Sequence, residues 1–200
     1  MNFQLSEEQV LLQEMVRDFA RKDIAPKIGA FEETHTFPKE IIQKLAGLGL
    51  MGMMVPAEYG GIKTDYLSVV VALEELSRVS PTVCLIVSVH TSLFSSSILK
   101  FGTPEQKQKY LPRAARGEIL GGFSLTEPGA GSDITSLKTR AVRTGSEYIL
   151  NGTKAWVTSG GQADALILLA QTEIRPGLPK LSAFIVEKDF PGFRVTKTED

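Results

Sequence analysis

GGFSLTEPGAGSD, residues 121–133, divides this 200-residue chain into two parts of different periodicity. It joins a short apolar run, a Glu127-Pro128 turn and a Gly129-Ala130-Gly131-Ser132 corner. Glycines let backbone N–H groups converge on an anion with no Cβ in the way. Thr126 and Ser132 add hydroxyls, so the local chemistry suits a phosphate and a polar ring. A plain turn at a domain junction suits the same composition. Composition alone leaves both readings open.

Before this stretch the pattern is helical. Ser6 and Gln9 form a capping box, with Leu12, Val16 and Phe19 following at helical spacing and Pro26 predicting the end. A second helix is predicted from Pro38, carrying Ile41, Ile42, Leu45 and Leu48 inward and stopping at Gly49. Residues 51–61 read as loop, because Pro56 and the Gly60-Gly61 pair exclude a regular helix. Asp65 caps a third helix with Leu67, Val70 and Val71 in its apolar stripe. Residues 83–99 form a further helix, apolar on most of its circumference and so central to a bundle. Its serines and His90 have two readings: hydrogen bonds back to carbonyls one turn earlier, or the lining of a ligand pocket. Thr103 and Gln106 make a second capping box. The helix it starts ends at Gly117 and carries a basic face of Lys107, Lys109, Arg113 and Arg116.

After Gly117 the period changes to that of strands. Residues 140–143 and 147–150 flank a Thr144-Gly145-Ser146 turn. Asn151-Gly152 is a hairpin signal leading into a strand at 154–158, followed by apolar strands at 165–170 and 182–187. The last two are joined through Pro176, Gly177 and Pro179, and Pro191-Gly192 precedes a short run at 193–195. Several short strands separated by turns predict an antiparallel sandwich or barrel. The fold class is therefore α+β, an all-α bundle at residues 1–118 followed by a β domain at 119–200. This excludes a Rossmann reading of Gly129-Ala130-Gly131. Ile134 stands where the third glycine belongs, and hairpins follow where a helix is required.

Hydrophobic residues at 42% and charged residues at 22% are ordinary globular values. A net charge of −1 gives no global basic field for nucleic acid or an anionic membrane. Cys84 stands alone, so no disulfide framework or thiolate metal cluster is predicted. The 83–99 run is broken by Ser88, His90, Thr91, Ser92, Ser95, Ser96 and Ser97, against the ~20 predominantly apolar residues of a membrane span. No transmembrane segment is predicted. No basic leader precedes the first helix, which predicts a cytoplasmic protein, or one of the mitochondrial matrix if a leader has been removed. His35 and His90 lack ligand spacing, so no metal site is expected. Glu127 reads as a cap or salt-bridge partner of its loop rather than a catalytic group. On a strand, Trp156 and Thr158 share one face. That face is either core, or a wall for a flat heteroaromatic ring offering a π surface and a hydroxyl.

Residues 123–133 followed by 151–161 (NGTKAWVTSGG) closely resemble the two flavin-binding signatures of the acyl-CoA dehydrogenases. Residues 55–61, 101–106 and 188–193 agree in order, so the resemblance covers essentially the whole chain. It implies an N-terminal α-helical domain, a β-barrel-like middle domain and then a C-terminal four-helix domain, with this chain ending inside the middle domain. It implies FAD along Phe123, Ser124, Leu125, Thr126, Gly131 and Ser132, with Thr126 hydrogen-bonding the ring system. Ser132 would lie near the pyrophosphate and the CoA part of the substrate. Trp156, Val157 and Thr158 would border the isoalloxazine. The implied reaction is α,β-dehydrogenation of an acyl-CoA to a trans-2-enoyl-CoA, as in fatty acid β-oxidation, with electrons passing to an electron-transfer flavoprotein. The family's catalytic glutamate belongs to the C-terminal region, so no residue here is assigned as the base. A homo-oligomer, tetramer or dimer, is implied for the full-length protein. An acyl-CoA oxidase, a related flavin monooxygenase, or a shorter non-catalytic binding or assembly protein are the alternatives.

Overall fold

The computed structural model describes residues 4–173 and 180–198. The chain divides into two compact units, residues 1–119 and 120–200.

The first unit is helical. Ser6 Oγ accepts from the Gln9 amide at 3.3 Å and Gln9 Oε1 from the Ser6 amide at 3.0 Å, which starts α1 (Glu7–Phe19). Pro26 does not end this helix. The chain widens into a π segment, Ala20–Ile24, and continues as α2 (Ala25–Glu33), with Pro26 in its first turn. The Ala25 amide bonds back to the Ala20 carbonyl, five residues earlier. That wider register removes the close i−4 carbonyl with which a proline ring collides.

In α3 (Lys39–Gly47) Ile41, Ile42 and Leu45 are buried. Leu48 is not buried as predicted: it lies past the last turn, 38% exposed. Gly49, at φ +79°, turns the chain in a conformation that favours glycine. Residues 51–61 form no regular helix, only two 3₁₀ turns, Leu50–Gly52 and Ala57–Tyr59. At Gly61 an added Cβ would stand 2.0 Å from the Val55 carbonyl oxygen, so the close approach of these two backbones requires glycine.

Asp65 caps α4 (Tyr66–Ser77) by accepting from the Ser68 amide at 2.9 Å. This register turns Val69, Val71, Ala72, Glu75 and Leu76 inward. Leu67 and Val70, predicted for the apolar stripe, are 49% and 58% exposed, because neither falls on the face that carries residues 69, 72 and 76. Glu75 is buried and receives two bonds from the Arg17 guanidinium, at 3.0 and 2.7 Å, which tie α4 to α1.

The central helix runs without a break as α5 (Pro81–Ser88), a π segment (Val89–Ser95) and α6 (Ser96–Phe101). By length and composition it is sufficient to cross a membrane, unlike the shorter run read from sequence, and half of its most apolar window is buried. Thr91, Ser92 and Ser96 take the back-bonding option, donating to the carbonyls of Val87, Ser88 and Thr91. The final helix, α7 (Pro104–Ala115), starts on the Thr103–Gln106 capping box.

The second unit is a five-stranded sheet of β1 (Gly121–Ser124), β2 (Arg140–Thr144), β3 (Glu147–Asn151), β4 (Ala165–Glu173) and β5 (Lys180–Glu187). Its pairing is mixed rather than antiparallel throughout. β2–β3 and β4–β5 are antiparallel hairpin partners, whereas β1 and β2 both run parallel to β4. Parallel pairing needs a long crossover, and the forty residues between β1 and β4 supply it. The β2–β3 turn is at Gly145-Ser146, with Gly145 at φ +63°. Asn151-Gly152 makes no hairpin, residues 154–158 form no strand, and neither do residues 193–195. β3 ends at Asn151, and Gly152 passes directly against Thr139. A Cβ there would meet Thr139 Oγ1 at 2.3 Å and its Cα at 2.7 Å. The predicted loop through Pro176, Gly177 and Pro179 lies outside the described residues.

Candidate functional site

The sequence-predicted residues gather at the end of β1. Phe123 is half-buried and Ser124 buried on the strand, and Leu125 and Thr126 continue past it, half-buried. The chain then turns sharply, with the Glu127 amide donating to the Ala130 carbonyl at 2.9 Å and the Ala130 amide to the Glu127 carbonyl at 3.1 Å. This closes a tight turn at Pro128-Gly129, after which Gly131 and Ser132 follow, and Gly129, Gly131 and Ser132 are all exposed. Asp133 then accepts from the Thr135 amide at 3.0 Å and caps a 3₁₀ turn, Ile134–Ser136. Hydrogen bonds from Ser136 and then Thr135 hold the Asp133 carboxyl below the usual carboxylate range.

Residues 152–158 return alongside this loop as an irregular strap. The Ala155 amide donates to the Thr126 carbonyl at 2.9 Å, which sets Trp156 directly after a residue bonded to the loop. Trp156 sits at φ +56°, a conformation that side-chain-bearing residues rarely adopt, and its side chain is turned outward, 73% exposed. The sequence reading placed Trp156 and Thr158 on one face of a strand. They instead flank Val157 in a turn, with the strain concentrated at Trp156 and at Ser159, φ +59°. Strained backbone of this kind persists only where its surroundings over-determine it. Gly122 lets the strap cross close to β1, since a Cβ there would stand 3.2 Å from the Thr158 carbonyl oxygen and 2.6 Å from Leu166.

One decisive residue, Lys154, escaped the reading of the sequence. The Lys154 ammonium is 2.8 Å from the Leu125 carbonyl oxygen and 2.8 Å from Glu127 Oε1, with both side chains more than nine-tenths buried. Glu127 also accepts from the amides of Lys138, at 2.6 Å, and Thr139, at 2.9 Å. Burial pushes the Glu127 carboxyl up, but bonds from Lys154, Thr139 and Lys138 outweigh it and hold it at about 2. Glu127 is thus the salt-bridge partner of its loop, with the structural role expected of it. Its lysine lies twenty-seven residues away, and only an Asn-Gly-Thr-Lys run with no neighbouring acid offered a signal.

The profile for "Acyl-CoA dehydrogenase, N-terminal domain" matches residues 6–118, and that for "Acyl-CoA dehydrogenase, middle domain" matches residues 122–200. The chain belongs to the acyl-CoA dehydrogenase family. An acyl-CoA dehydrogenase of Bacillus subtilis is 49% identical over 195 residues, covering 98% of this chain and 52% of the relative. Butyryl-CoA dehydrogenase from Megasphaera elsdenii superposes with a TM-score of 0.94 at 37% identity, over 100% of this chain and 53% of that one. An acyl-CoA dehydrogenase from Bacillus anthracis, complexed with FAD, superposes with a TM-score of 0.90 at 36% identity, over 98% of this chain and 33% of that one. The chain spans about half the length of the curated relatives it matches. Within the family's architecture, the helical unit and the mixed sheet are those of the N-terminal and middle domains.

Proposed function

We propose that this acyl-CoA dehydrogenase chain holds one side of an FAD along residues 123–132 and 156–158. The observation that carries the proposal is the outward indole of Trp156, held at a strained φ beside the Thr126 strap. The donor set fits a flavin dinucleotide. Among the described residues, no backbone hydrogen bond uses the amides of Gly129, Gly131 or Ser132, and space is open beside Gly129 and Gly131. Such a loop suits a phosphate, as an exposed indole suits a flat ring.

The roles divide by chemistry. Gly131 and Ser132 offer an amide and a hydroxyl to the pyrophosphate, and Ser132 also to the CoA part of the substrate. Thr126 and Thr158 offer hydroxyls to the ring system, and Trp156 covers one ring surface from water. Phe123, Ser124, Leu125 and Val157 supply backbone and apolar contact. The proposed domain bounds are residues 1–118 and 119–200, one residue before the division between the two compact units.

The proposed reaction is removal of an α-proton and a β-hydride from an acyl-CoA thioester, giving a trans-2-enoyl-CoA. Bound FAD supplies the two-electron acceptor for the hydride, and electron-transfer flavoprotein is the proposed onward acceptor. No residue among the 200 is assigned as the base. The central helix is proposed as a core helix of a cytoplasmic or matrix protein, and a homo-oligomer as the working state.

The test is FAD uptake by the purified chain, read as yellow colour retained through gel filtration. Trp156→Ala with Thr158→Ala should lower retained flavin about tenfold or more. A colourless wild-type chain after incubation with FAD, or equal retention by the double variant, sinks this placement.

A further inference from the structure

The loop and the strap meet at the Glu127–Lys154 pair, to which the proposed flavin contacts assign no role. Lys154 takes a backbone carbonyl of the loop and a carboxylate of the loop at the same distance, 2.8 Å. Glu127 spends its other bonds on Lys138 and Thr139, where the chain enters β2. Three segments distant in sequence are therefore fixed to one buried point. The Ala155 amide, next in the chain, makes the bond to Thr126, and Trp156 follows immediately. An ion pair taken out of water is weak evidence for stability but imposes a definite geometry, since each remaining donor and acceptor must be met.

We infer that Glu127 and Lys154 are positioning residues for the cofactor, a clasp that holds Thr126 and Trp156 at a fixed separation so that both reach the same ring. The inference rests on the flavin reading above. Neither side chain need touch FAD. The clasp acts through the loop carbonyl of Leu125 and through the strained turn at Trp156. It converts two otherwise irregular segments into a preformed slot, which lowers the ordering cost of binding.

Trp156 is the chain's single tryptophan, so its fluorescence reads the strap alone. Lys154→Met leaves a carboxylate buried without its cation and can unfold the sheet unit. The decisive variant is therefore Glu127→Gln with Lys154→Met, which removes both charges, keeps the volumes and leaves a side-chain oxygen for one of the two amides, Lys138 or Thr139, that the carboxylate meets with separate oxygens. The expected result is a melting temperature lowered by a few degrees, for the one amide and the Leu125 carbonyl left unmet, lower Trp156 anisotropy without cofactor, and FAD affinity, read by quenching of Trp156, weakened about tenfold or more. A purely structural pair would make affinity follow the melting temperature. Unchanged anisotropy in the double variant overturns the clasp, whether or not FAD binds. Lower anisotropy with unchanged affinity overturns its role toward the cofactor. Absence of quenching in the wild-type chain overturns the flavin reading itself, and the role of the clasp toward FAD with it.

Discussion

The helical unit fills its interior with large apolar side chains, among them Phe94, Leu45, Leu50, Met51 and Met53, all fully buried. The sheet unit buries mostly small ones: Ala130, Ala141, Ala163, Ala165 and Ala170, with Ser124 and Thr139 among them. Two buried ionisable groups, His90 in the first unit and Glu127 in the second, are treated in opposite ways, although the first unit also buries a charged Glu75 on Arg17. His90 lies in the π segment as a neutral ring, its Nε2 donating to the Ala114 carbonyl at 3.1 Å. Burial pushes its pKa down to about 4, against a smaller raising effect of the Ala114 bond. Glu127 is kept charged by Lys154 and by backbone amides. Packing holds most of the first unit together, with the Arg17–Glu75 bonds as a buried directional tie. Directional bonds set the second one where the candidate site lies.

The largest expected effect tests the packing half of this contrast. Phe94 is fully buried, with the Tyr110 ring edge-on at 6.5 Å. Phe94→Ala should cost the helical unit about 3–5 kcal/mol through lost burial and an unfilled cavity. Denaturation followed by far-UV circular dichroism reads chiefly the helices, while Trp156 fluorescence reads the sheet unit. The dichroism transition should move by this amount and the fluorescence transition by less. Equal shifts would show that the two units unfold as one, and the contrast would not survive as a contrast in stability.

What was legible in the sequence follows the same division. Both capping boxes, at Ser6 and Thr103, are local chemistry and are found where predicted. So is the Asp65 cap. Pro26 misled because a π segment, which no residue pattern announces, removed the usual penalty for proline. Leu67 and Val70 misled because apolar residues surround that helix and only its tertiary register separates inside from outside. In the sheet unit the error was larger. Asn151-Gly152 has strong turn chemistry, yet Gly152 serves a close approach to Thr139 instead. The residues proposed to meet the flavin were legible through a family resemblance. Lys154 was not, because a buried lysine is recognised only by its partner, and that partner is supplied by the fold.

Acid sharpens the electrostatic half at slightly smaller magnitude. His90 has a folded pKa of about 4 against an ordinary 6.5. The unfolded chain binds the extra proton between those values, so stability falls as pH drops from 6.5 to 4, by roughly 3 kcal/mol in all. Glu127 is depressed from an ordinary 4.5 to about 2. Its contribution is complete above 4.5 and is lost as pH falls through about 2. Acid should therefore loosen the dichroism signal first and the Trp156 signal at lower pH. His90→Asn should flatten the first dependence and leave the second. The reverse order of transitions would break the assignment of these two groups.

The smallest expected change in stability is the most informative about the site. Gly131 has no positive φ, and a Cβ added there would meet nothing within 4 Å. Gly131→Ala should therefore alter stability by no more than about 0.5 kcal/mol, and in the stabilising direction if the unfolded chain loses freedom. Nothing in the fold of this loop requires glycine at position 131. If a phosphate approaches that backbone, the added methyl stands in its path, and FAD retention should fall about tenfold while melting is unchanged. Gly152 provides the opposite case, since a Cβ there strikes Thr139 backbone at 2.7 Å and its substitution acts on the fold. A Gly131→Ala chain that keeps both its stability and its flavin would move the pyrophosphate away from this corner, leaving the ring contacts of Thr126, Trp156 and Thr158 to anchor the cofactor.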